Sequence, residues 1–121
     1  MRTGTCLFCL LLVIGISCKD STKIPSGILP KDKMENLMWD MMLADRYSAQ
    51  FLVKDSATKD VKLETMKLYE QVFQLHHITR EEFVKNYKYY LNRPDISKAM
   101  FDSLSARGTR NRDRIYKKFQ Q

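Results

Sequence analysis

Ile78-Thr79-Arg80-Glu81-Glu82-Phe83 is the stretch on which the fold turns. A threonine followed three residues later by glutamate forms a capping box, in which each side chain accepts from the backbone N–H of the other residue. Ile78 just before it and Phe83 just inside it are placed to close over the helix start as a hydrophobic staple. A helix therefore begins at Thr79, and whatever precedes it must end by His76-His77, where dipolar or cationic groups suit the negative end of a helix.

Upstream, Val61, Met66, Tyr69, Val72, Phe73 and His76 fall on one side of a second helix. Downstream, Phe83, Tyr87, Tyr90 and Leu91 keep helical spacing until Asn92-Arg93, because the residue ahead of Pro94 avoids helical dihedrals. A first helix opens near Pro30 to Asp32 and runs to about Val53, with Met34, Leu37, Met38, Met41, Ala44, Ser48, Phe51 and Leu52 as its stripe and Lys54-Asp55-Ser56 as its break. Its dense methionines read as core filling, with an adaptable binding groove as the alternative. A last helix starts at Pro94-Asp95 and turns Ile96, Met100 or Phe101, and Leu104 inward. Gly108 weakens it, and Ile115, Tyr116 and Phe119 belong to its continuation or to a separate helix. With no strand alternation, repeat or glycine-rich phosphate loop, the expected fold is all-α, a bundle of three to four helices over residues 30–121.

The N-terminus has a different character. Arg2 is followed by an apolar run from Leu7 to Ile16, and Gly15-Ile16-Ser17-Cys18 is a small-residue processing site. That run is about half the roughly twenty residues a spanning helix needs, so residues 1–17 read as a cleaved signal. The site resembles a lipobox, although Gly15 stands where that pattern prefers leucine. The resemblance implies that Cys18 carries diacylglycerol and a further acyl chain, a durable membrane anchor, and no other cofactor is expected. Residues 18–29, with Pro25-Ser26-Gly27, read as the tether. Lys19-Asp20 is too slight an acidic run to signal surface display, so the periplasmic face of the outer membrane is the expected location and the cell surface the alternative.

Cys6, Cys9 and Cys18 are the only cysteines, which leaves the chain from Lys19 onward without disulfides, thiol nucleophiles or cysteine metal sites. The formal charge is +7, and Arg107, Arg110, Arg112, Arg114, Lys117 and Lys118 concentrate it in the last turns. Solvent or an anionic membrane are the natural partners of such a tail; export argues against nucleic acid.

Asp40 and Asp45 lie near the apolar stripe, where carboxylates serve as acids, bases or ligands. They equally suit packing, Asp45 with Arg46 or Lys54, or a carboxylate on a tyrosine hydroxyl. His76 and His77 point about 100° apart on a helix and cannot share a metal, so no metal site is expected. No Gly-x-Ser-x-Gly elbow is present. Tyr87, Tyr89 and Tyr90 with Lys85 and Lys88 form an aromatic and basic patch suited to contact, with Tyr89 the ring expected outside.

Leu29-Pro30-Lys31-Asp32-Lys33-Met34, Asp40-Met41-Met42-Leu43-Ala44-Asp45, and His76 to Phe83 leading to Tyr89-Tyr90 and Pro94 resemble the Bacteroidota lipoproteins grouped as domain of unknown function 4296. The likeness spans roughly residues 28–104 and implies an exported helical lipoprotein, with no activity attached. Where that family often has glycine this chain has His77, which predicts a looser turn. The functional expectation is a non-enzymatic, membrane-tethered accessory module with an envelope protein partner, its oligomeric state open. The competing expectation is a small-ligand-binding or metal-dependent enzyme, which requires Asp40, Asp45 and His76 to converge.

Overall fold

The capping box forms as its residues demand: Glu82 N–H donates to Thr79 Oγ1 at 3.1 Å and Thr79 N–H to Glu82 Oε2 at 2.8 Å. The computed structural model describes residues 23–55, 57 and 60–120. Among them, four α-helices follow one another: α1 (Lys31–Tyr47), α2 (Val61–Leu75), α3 (Arg80–Leu91) and α4 (Pro94–Phe119), an all-α fold. A π-turn at Ser48–Leu52 and a 3-10 turn at Val53–Asp55 extend α1.

Helix α2 ends in a Schellman motif. Ile78 N–H reaches Phe73 O at 3.0 Å and His77 N–H reaches Gln74 O at 3.2 Å, with His77 itself at φ 52°. The turn expected to be looser is tight, because histidine adopts the left-handed conformation that a glycine would supply.

Met34, Leu37 and Trp39 of α1, Phe73 of α2, Tyr90 of α3, and Ile96, Met100 and Leu104 of α4 make one core. Met34 and Met100 are wholly buried and Met38 and Met41 pack against them, so the methionine stripe is core filling. All of these contacts come from Ile24 to Leu104, so the chain without its first 17 residues keeps the whole core. Phe51 was expected in the stripe and is 54% exposed, because the wider π-turn carries it outward while Leu52 stays buried. Met66 and Leu91, also expected inward, are exposed; α2 buries only Phe73, and Leu91 lies past Tyr90 in the last turn of α3.

Gly108 does not interrupt α4. Its first half lies parallel to α1: Ser103 Oγ donates to Glu35 Oε1 at 2.5 Å, and Arg107 donates to Asn36 Oδ1 at 2.9 Å with its guanidinium 4.4 Å from the centre of the Trp39 ring. Arg107, grouped by sequence with the basic tail, is thus a packing residue over a buried tryptophan. Past Leu104 no described residue is buried, and α4 continues as an arm.

The segment before α1 is not free over its whole length. Residues 25–28 form a turn, with Ile28 N–H on Pro25 O at 3.2 Å and Gly27 at φ 82°, where a side chain would be strained. Ile24, Ile28 and Leu29 pack on the core. Residues 24–29, expected to belong to a tether, instead pack on the folded domain, because their apolar side chains find a hydrophobic surface to cover.

Candidate functional site

Helices α1 and α2 meet along a polar seam. Asp40 Oδ2 accepts from His76 Nε2 at 2.7 Å; an ionised carboxylate only accepts, so Nε2 carries the hydrogen. Asp45 Oδ1 accepts from the Tyr69 hydroxyl, and Ser48 Oγ bonds Thr65 Oγ1. The pairs run antiparallel, Asp40, Asp45 and Ser48 descending against His76, Tyr69 and Thr65. Tyr69 is pushed up from 10.0 to about 12, first by its hydrogen bond to Asp45, then by burial and by the charge of the same carboxylate.

This geometry separates the three residues on which an enzymatic reading depends. Asp40 and His76 meet; Asp45 does not join them, because its partner Tyr69 lies two helical turns from His76, about 10 Å along α2. The expected pairing of Asp45 with Arg46 or Lys54 is replaced by the tyrosine hydroxyl, the other arrangement open from sequence.

The tyrosine patch is divided in the same way. Tyr90 is wholly buried, and its hydroxyl donates to Leu29 O at 2.6 Å; burial pushes that hydroxyl above its usual range. Tyr90 therefore has no face to offer a partner. Tyr89, expected outside, packs on the core edge-on to Tyr90 at 5.4 Å and accepts from Arg93 Nη1 at 3.0 Å. Arg93 also grips Asp95 through two hydrogen bonds, 2.9 and 2.7 Å, fixing the corner between α3 and α4. Tyr87 stacks on Phe83 at 5.7 Å and is half-buried, leaving Lys85 and Lys88 outside.

Sequence reasoning missed Asn86. It is buried, its Oδ1 accepts from Leu29 N–H at 2.5 Å, and its Nδ2 donates to Glu82 O at 2.7 Å. One turn apart on α3, Asn86 and Tyr90 take both backbone groups of Leu29, while Lys85 Nζ donates to Gly27 O at 3.1 Å. The signal was present: a lone amide in the 83, 86, 87, 90 stripe of otherwise aromatic residues.

The outer surface differs at the far end of α1. The rings of Tyr47, the last residue of α1, and Phe51, on the π-turn, lie 5.1 Å apart and tilted by 33°, each about half exposed, with Val53 exposed two residues on. Cys18 lies outside the described residues.

A family model described as Domain of unknown function (DUF4296) matches residues 25–114. No curated protein and no solved structure matches the chain.

Proposed function

We propose, for a chain that belongs to the DUF4296 family, that it is an exported lipoprotein, lipidated at Cys18, whose helical domain is a non-enzymatic interaction module of the cell envelope. The carrying observation is the Tyr47–Phe51 pair. Two aromatic rings tilted against each other and left half in water, Tyr47 at the end of α1 and Phe51 on the π-turn, are the kind of anchor that protein interfaces use, and π-turns concentrate at functional positions. The seam supports the same reading from the other side, since Asp45 and Tyr69 occupy each other. The module sits at the periplasmic face of the outer membrane, held by lipid and engaged with an envelope protein.

Cross-linking and affinity purification of the full-length protein from its native envelope tests this. The expected result is one reproducible complex, lost in Cys18→Ala and in Tyr47→Asp/Phe51→Asp. Recovery of nothing from any version, or a complex indifferent to both changes, overturns it. The enzymatic alternative rests on the Asp40–His76 pair alone.

A further inference from the structure

We infer that the cleft between the end of α1 and the arm of α4 seats the phosphate of an anionic phospholipid headgroup. This goes beyond the protein partner proposed for the Tyr47–Phe51 surface and is independent of it. The cleft measures about 490 Å³, within the usual range for small-ligand sites. Arg46 and Arg112 stand on its two walls, and among the described residues no carboxylate lines it. Among the described residues Arg46 has no ion pair or hydrogen bond, and Arg112 meets only its neighbour Asp113, at 3.6 Å on the open surface. Gln50, Ser105 and Thr109 add neutral donors to the same lining, which suits phosphate and ester oxygens.

An amphiphile fits better than a free anion. Ile115 and Tyr116 share the cleft with the arginines, and Phe119, one turn beyond Ile115, is 84% exposed on the same face. A soluble phosphate would leave these side chains without a role, whereas acyl chains would cover them. From Ser105 to Gln120 the arm carries six cations against the single carboxylate of Asp113, which repels a second copy and attracts an anionic surface.

Gly108 completes the case. Glycine inside a helix costs about 1 kcal/mol relative to alanine. Among the described residues nothing lies within 4 Å of where its Cβ would stand, and its φ is ordinary, so neither their packing nor the backbone requires it. It lines the cleft, and any side chain there would protrude toward the bound headgroup.

The test is co-sedimentation of residues 19–121, which hold the whole core, with phosphatidylcholine vesicles made with and without phosphatidylglycerol. Binding is expected to the anionic vesicles alone. Neutralising any two surface cations weakens diffuse attraction by about thirtyfold, at about 1 kcal/mol each. A seat makes Arg46→Gln/Arg112→Gln lose at least about tenfold more than Arg110→Gln/Arg114→Gln, which carries the same charge change away from the cleft. Gly108→Leu should bind weakly while melting no lower than the parent, which separates blockage from misfolding. Equal losses in the two double variants, a Gly108→Leu protein that binds like the parent, or capture of glycerol phosphate without vesicle binding would each overturn the assignment.

Discussion

Replacing His77 by glycine should stabilise the protein, and replacing it by alanine should not. His77 is the one non-glycine residue with positive φ among those described, at 52°, and the two hydrogen bonds that close α2 depend on that conformation. Holding an L-residue there costs roughly 1–2 kcal/mol, because Cβ crowds the following carbonyl. Glycine removes this cost but adds freedom to the unfolded chain worth about 0.5–1 kcal/mol, so the net gain is about 0.5–1 kcal/mol. The imidazole is exposed and holds no hydrogen bond among the described residues, so its loss costs little. Alanine keeps the crowded Cβ and lacks the tolerance of histidine for this region, placing it at or below the parent. For a domain of about 100 residues, 1 kcal/mol moves Tm by roughly 4–8 °C, so the glycine variant should melt a few degrees higher. Thermal and urea unfolding followed by circular dichroism measure both. An alanine variant as stable as the glycine variant would refute the reasoning, because the strain that glycine relieves must exceed the freedom it adds to the unfolded chain.

Tyr90→Phe removes the donor to Leu29 O and should cost about 1–2 kcal/mol; hydrogen exchange should show residues 24–30 opening before the helices, and uniform loosening would count against a local clamp. Tyr69 keeps its proton up to about 12, against 10.0 for the free side chain. The folded state then holds a proton that the unfolded chain releases, so its contribution is complete below pH 10 and is lost as pH rises towards 12. The full shift would be worth about 2.7 kcal/mol, discounted by solvent access to about 1 kcal/mol; urea titrations across that window should show the decline in the parent and not in Tyr69→Phe. Asp40→Asn should cost no more than about 1 kcal/mol, since the pair with His76 is partly solvated; a loss of several kcal/mol would mean that the seam is a buried network.

What could be read from sequence was what local chemistry decides. Thr79 and Glu82 cap each other within one turn, and Pro94 ends α3 through its own ring, so both boundaries were legible. The core methionines were legible too, because their spacing is the helical period. Contacts that join distant parts of the chain were not. Leu29 is held by Asn86 and Tyr90, 57 and 61 residues away, so the last residues before α1 looked like tether although their partners were waiting on α3. Arg107 looked like one more cation in a basic tail until the parallel packing of α4 put it over Trp39. The π-turn has no local signature, and one shift in hydrogen-bond register was enough to take Phe51 from the predicted core to the surface. The candidate site failed as a triad for a similar reason: Asp40 and Asp45 both face α2, but the helix spacing delivers them to two different partners.

The two attachments proposed for the molecule constrain how it could lie on a membrane. The cleft sits at the far end of α1 from Pro30, about 20 residues on, or roughly 30 Å of helix. From Cys18 to Ile24 the chain can span at most about 20 Å when fully extended. With its cleft end down, an upright bundle would leave Ile24 farther from the surface than that tether reaches; inverted, it would hold the cleft some 30 Å above the lipid. Only a bundle with α1 and α4 lying along the surface satisfies both. Quenching of the single tryptophan would not report this, since Trp39 is buried beneath Arg107. A fluorophore on Ala106→Cys, exposed beside the cleft but not lining it, and another on the exposed Ser26→Cys should both be quenched by headgroup-level quenchers in the lipidated protein. Quenching at only one of the two positions would show that anchor and cleft do not act on the same membrane together.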